Sequence, residues 1–484
     1  MSRRQKCDSK SKIRIADQQP LFPASPISIM RLRRTPLPIF AFLASVVLFA
    51  GVATAHGVTT RFDAPIPLTL LFGGAGATVA LTALFLSATV ERTPTGMRRI
   101  SVLSSGTVAA LRLTARVAFL AIFLLVLAVG SVGPANARDN PATLFTWSVW
   151  LKGIGLLAVL FGSPWRTLAP WRTIYDGLSK LEGKQLALFD YPDQLGDWPA
   201  LVGFLALVGI VENLTRIPDS PRLTAVLLAG YALIMLFGGV LFGTTWFERA
   251  DPLAVLYRLF GRVAPLKIDG SGIDLRPPWR GCLPRVRSLS LAGFVVASVY
   301  TVSFDGFTET PEYQTILFWA RDVTGLGSVV SVPLYLGGFL AFLAVFALVA
   351  MVTQRISGSA KRGGTRESWR EMALALAPTV VPIAVAYEVA HNYPFVLQQL
   401  SRLLTVLGGT EIELLGWLSL PAFWASQVLL IVLGHLVAVV AAHYVALEHT
   451  NRVASVGRTH LPLTALMVGY TVLSLWIISR PVAT

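Results

Sequence analysis

Residues 374–397 read LALAPTVVPIAVAYEVAHNYPFVL. Glu388 and His391 are the two ionisable side chains, tyrosines aside, set into this apolar run. About 20 apolar residues cross the roughly 30 Å of bilayer hydrocarbon as a helix. Similar runs recur along the chain. We read ten spans, at roughly 66–90, 117–135, 144–163, 198–215, 223–246, 288–305, 329–352, 373–398, 421–446 and 462–480. A β-barrel would show short alternating segments instead. The fold class expected is all-α, a polytopic transmembrane helix bundle.

Composition agrees. The 484 residues are 54% hydrophobic and 14% charged, and mean hydropathy is +0.63, too little charge to wet a soluble domain of this size. The net charge of +15 does not point to nucleic acid, because the basic residues fall in loops between apolar runs. The loops at 91–116, 164–197, 247–287, 353–372 and 447–461 carry about two dozen Lys and Arg, and the intervening loops about six. This asymmetry predicts a plasma-membrane protein with those five loops inside and the mature N-terminus outside. The segment 306–328, expected outside, is acidic, with Glu309, Glu312 and Asp322. The lipid bilayer is the one partner the composition implies. Cys7 and Cys282 form no CxxC pair, so no zinc or redox motif is expected.

The N-terminal region divides in two. Residues 1–29 are polar and without pattern, and we read them as an upstream extension or a disordered segment. Residues 30–55, MRLRRTPLPIFAFLASVVLFAGVATA, have a charged start, an apolar centre and the cleavage site Ala53-Thr54-Ala55 of a signal peptide. Uncleaved, this segment would be an eleventh helix. Cleaved, it leaves His56 first, whose amine and imidazole form a chelate suited to copper. Residues 56–484 form the helical domain, with a basic, Pro/Gly-rich insert at 247–287 that can fold over the cytoplasmic face or form a small hairpin.

Several stretches carry a resemblance: VLFGSPWRTLAPWR at 159–172, WFERADPLAVLYRLFGRVAPL at 246–266 and FDGFTETP at 304–311. YPDQLGDWPALVGFLALVGIVE, GHLVAVVAAHYVAL and LMVGYTVLSLW extend it over nearly the whole mature chain. Together they resemble a family of prokaryotic polytopic membrane proteins labelled fenitrothion hydrolase. The label implies hydrolysis of an organophosphorus ester. Phosphotriesterases use metal pairs held by His and carboxylates, whereas this chain has six His and no HxH pair.

Ionisable groups within spans are the natural candidates for function. Glu388 and His391, one turn apart, share a helix face, and Pro378 and Pro382 precede them in the same span. His435 stands mid-span in GHLVAVVAAHY, with His443 and Gln427 eight residues to either side. A shared Glu388/His391/His435 site would suit a transition metal, copper or zinc. Lys152, in WSVWLKGIG, is mid-span and can neutralise a carboxylate or snorkel. Glu212 can pair with it or meet water, and Asp305 can line an entrance. In PWRTLAPWR, Trp165, Arg166, Trp171 and Arg172 are expected as an interfacial anchor, rings at headgroup depth and guanidinium groups on phosphates. Two readings follow. One is binding or movement of a metal or small solute through an intramembrane His/Glu site, with Glu388 as a proton site if metal is irrelevant. The other is a membrane-embedded, metal-dependent esterase.

Overall fold

The computed structural model describes residues 67–90, 98–101, 104–269, 272–357, 361–362, 365–366, 368–410, 412–449 and 456–480. They belong to one compact unit, Val52–Thr484. Residues 1–29 and 30–55, and His56, lie outside the described residues. Ten helical segments are long and apolar enough to cross a bilayer: Leu68–Thr89, Ser105–Val132, Pro141–Phe161, Asp193–Glu212, Pro221–Phe242, Leu289–Thr308, Gly327–Ile356, Trp369–Val406, Leu420–His449 and Gly457–Ile478. Each overlaps one span expected from the sequence. The chain is a multi-pass helical membrane protein. Below, the end of the bundle that carries the five basic loops is called the basic end.

The helix starts follow from local chemistry. Ser104, Ser220, Ser288 and Thr310 each accept a backbone N–H of the first turn they precede. Ser368 and Glu371 close a reciprocal capping box at the head of the eighth span. Pro141, Pro221, Pro252 and Pro311 occupy first-turn positions, where no N–H partner is lost.

The sixth span, Leu289–Thr308, is the most buried of the ten and forms the axis of the bundle, followed by the eighth. The eighth changes character where the prolines stand. A tight turn of 3-10 helix at Ala377–Val380 separates Trp369–Leu376 from Val381–Val406.

The insert at 247–287 does more than cover the basic end. Its strands Leu266–Asp269 and Gly272–Leu275 form a hairpin, and Arg98–Ser101 adds to the latter as a third antiparallel strand. Ahead of the hairpin, the helix Pro252–Phe260 is buried almost all round, with Leu253, Val255, Leu256, Tyr257, Leu259 and Phe260 inside the core. It packs on the third, fourth and eighth spans. At the opposite end, the acidic segment contains the helix Pro311–Thr324, which exposes Phe318, Trp319 and Val323.

Candidate functional site: a charged cluster inside the bundle

Two spans widen into π-helix among the described residues, and each carries one half of an ion pair. Phe145–Gly153 in the third span and Leu205–Glu212 in the fourth are π-helical. The wider i→i+5 turn is uncommon and collects at functional positions. Lys152 is the last residue but one of the first of these segments, and Glu212 ends the second. The Lys152 Nζ lies 2.9 Å from Glu212 Oε1 and 3.6 Å from Glu388 Oε1 on the eighth span. The three side chains are only 8%, 13% and 13% exposed.

The surroundings fix these positions. The Tyr257 hydroxyl, on the buried insert helix, reaches the carbonyl oxygens of Trp150 (3.1 Å) and Leu151 (2.9 Å) and donates there, bracing the turn before Lys152. Gly209, within the second π segment, lies against Tyr335. A Cβ on Gly209 would come 2.0 Å from the tyrosine oxygen, so only glycine admits this approach. Tyr335 in turn shares a hydrogen bond with Thr301 (2.7 Å) on the sixth span.

A second pair stands beside the first. His391 Nε2 is 3.2 Å from Asp305 Oδ2, and both side chains are about a quarter exposed. The His391 ring lies 6.1 Å from the Tyr387 ring one turn away. Asp305, Lys152 and Glu388 line one small cavity with Ser298, Thr301 and Asn213. Leu256 and Phe260 of the insert helix also line it. Its volume is about 20 Å³, room for a single water. The cluster therefore holds three carboxylates and two basic groups. Glu212 Oε2 has no hydrogen-bond partner among the described residues.

His435 is placed differently. Its Nδ1 is 2.8 Å from the Ile431 carbonyl, its ring faces Tyr470 at 5.9 Å, and its Nε2 has no partner among the described residues. Among the described residues no group of three or more His, Cys, Asp or Glu could hold a metal ion. The Glu388/His391/His435 ligand set is thus not assembled: Glu388 turns to Lys152 and His391 to Asp305, while His435 is tied to its own helix. His443 bonds the Val90 carbonyl at 3.1 Å and faces His460 at 5.4 Å. Sequence reasoning misses His460, a lone histidine at a span end with no motif around it.

The anchor expected of PWRTLAPWR needs correction. Trp165 and Trp171 do not present their rings to headgroups; both are fully buried within the protein. Both indole N–H groups donate to Asp251 Oδ2, at 3.1 and 3.0 Å. Asp251 Oδ1 accepts from the Tyr231 hydroxyl and from the backbone N–H groups of Leu253 and Ala254. A buried carboxylate demands donors, and the tryptophans supply them. Arg166 is exposed and Arg172 buried. The signal for Asp251 was legible: Asp-Pro before the apolar run LAVLYRLF is a helix start.

Comparison with family models, with curated proteins and with solved structures returned no match. The fold and the cluster alone carry the functional reading.

Proposed function

We propose that the chain is a proton-coupled carrier of a small solute in the plasma membrane, with its basic end in the cytoplasm. Lys152, Glu212 and Glu388 are its proton site, and the Asp305–His391 pair stands beside it. The observation that carries this reading is one lysine shared between two carboxylates beside a cavity the size of a water. Charges held away from water must balance. The Asp305–His391 pair, holding one proton between its two members, carries no net charge, and Glu212 and Glu388 against Lys152 leave one negative charge in excess. One proton, shared by the coupled carboxylates, makes the cluster neutral. Losing or gaining that proton changes which carboxylate Lys152 must serve. Glu388 follows a proline-broken turn and Glu212 ends a π segment, so such a change has backbone that can respond.

The cavity as it stands is too small for a solute, which suits a closed state. An esterase reading, which the family resemblance implies, needs an activated water and is tested alongside. The experiment uses the purified protein in proteoliposomes with an internal pH-sensitive dye. The probes are small organic acids, amines and an organophosphorus ester. Wild type is expected to move protons with at least one acid or amine, and Glu388→Gln and Glu212→Gln to abolish that movement. No proton movement with any probe, or full movement in both variants, rejects the carrier. Ester turnover lost in the same variants establishes the hydrolase instead.

A further inference from the structure

At the basic end, Arg172 presents an unbalanced charge. Its side chain lies in the helix Pro170–Glu182, and the residue is 8% exposed. Its Nε has no hydrogen-bond partner, and no ion pair reaches its guanidinium among the described residues. The nearest charges do not settle it. Arg166 and Arg116 are of the same sign, and Asp176 and Glu248 oppose them. Asp176 is already bound to Arg116, at 2.8 Å. Burial first, and then Arg166, push the Arg172 pKa below the usual arginine value. A guanidinium nevertheless keeps its proton. A buried cation that cannot discharge calls for an anion.

The position says which anion chemistry is at hand. The second span, Ser105–Val132, has 28 residues, roughly 42 Å of helix against roughly 30 Å of hydrocarbon. Its uninterrupted apolar stretch begins after Arg116, so Arg116 marks the border of the headgroup layer. The segments Trp165–Leu168 and Pro170–Glu182 pack on this span, and the Arg116–Asp176 bond ties the second of them to that level. Arg172 and exposed Arg166 therefore stand at the depth where phosphate groups lie. The guanidinium fork matches two phosphate oxygens at once, and basic pockets between helices on this side of a membrane suit anionic headgroups.

We propose that Arg172, with Arg166 beside it, seats a phosphate oxyanion at the basic end of the bundle. Two sources share this chemistry, the headgroup of an anionic phospholipid and free phosphate. The test measures thermal unfolding of the delipidated full chain in mild detergent, with phosphatidylglycerol, phosphatidylcholine or inorganic phosphate added. Wild type should melt higher with phosphatidylglycerol and not with phosphatidylcholine. Arg172→Leu should lose that increment while melting, without lipid, at or above wild type, because an unpaired buried charge has gone. Arg172→Lys, which keeps the charge without the fork, should lose most of the increment. Inorganic phosphate acting as strongly as phosphatidylglycerol identifies a free-phosphate site; phosphatidylglycerol acting alone identifies a lipid site. The proposal is overturned if neither shifts wild type, if phosphatidylcholine acts equally, or if Arg172→Leu responds as wild type does. Should Arg172→Leu fail to fold, the role is structural unless Arg172→Lys folds and loses the increment.

Discussion

The molecule buries carboxylates in two places and treats them in opposite ways. Asp251 meets five donors, two indoles, one phenol and two backbone N–H groups, and no cation among the described residues. Every donor is neutral and every one is held by packing. The Lys152 cluster has fewer bonds and more charge: one ammonium group serves two carboxylates, and a Glu212 oxygen is left unpaired among the described residues. A carboxylate surrounded by fixed donors has one arrangement and acts as a structural joint. A carboxylate that shares its cation with a rival can trade it when one of the two takes a proton, which is what the proposed proton site requires.

The sharpest way to break this contrast is to remove the cation. Lys152→Met should strand Glu212 and Glu388 and destabilise the bundle by about 3–5 kcal/mol. Adding Glu212→Gln should recover part of that loss without restoring proton movement. Thermal unfolding of the single and double variants in detergent reads both effects, and a Lys152→Met protein as stable as wild type would remove the cluster's claim to be an ionic site. Asp251→Ala should cost on the order of 3 kcal/mol, because the donors around it are left buried and unmade. The protein that still folds should keep the proton response of wild type, which separates the joint from the site. A smaller cost, about 1–3 kcal/mol, is expected for Gly209→Ala, where the added methyl meets Tyr335 and must push the π segment away. That variant should lose proton movement out of proportion to its stability, since Glu212 lies on the displaced turn.

The last prediction carries no stability change. Cys282 is fully buried, and burial pushes its thiol up to about 12, with Arg262 and Arg276 opposing. The thiolate is the reactive form, so in a Cys7→Ser chain a maleimide at pH 8 should label Cys282 only after unfolding. Rapid labelling of the folded protein would show that the insert opens.

The ten spans were legible because an apolar run of bilayer length, repeated ten times, has nowhere to be buried but in lipid and against its own kind. Lys152 and Glu212 were singled out by cost alone: an ionisable residue in such a run must find a partner. What a linear reading could not supply was which partner. Glu388 and His391 share a helix face, yet one turns to the third span and the other to the sixth, a choice made by helix packing. The π segments were hidden because their extra residue per turn leaves no mark in an all-apolar stretch such as LALVGIVE. Trp165 and Trp171 misled because Trp beside Arg at a span end is the pattern of an interfacial anchor. Their true partner, Asp251, lies 80 residues or more along the chain.

The claim that one proton is shared within the cluster is open to direct observation. Isotope-edited infrared spectroscopy of the protein in lipid, at neutral pH, separates protonated carboxyl groups from ionised ones. We expect a protonated carboxyl signal that is lost or displaced in both Glu212→Gln and Glu388→Gln and that persists in Asp251→Asn. If every carboxylate is ionised at neutral pH, or if the signal survives unchanged in both cluster variants, the Lys152 cluster is a static ion pair and the proton-coupled reading fails.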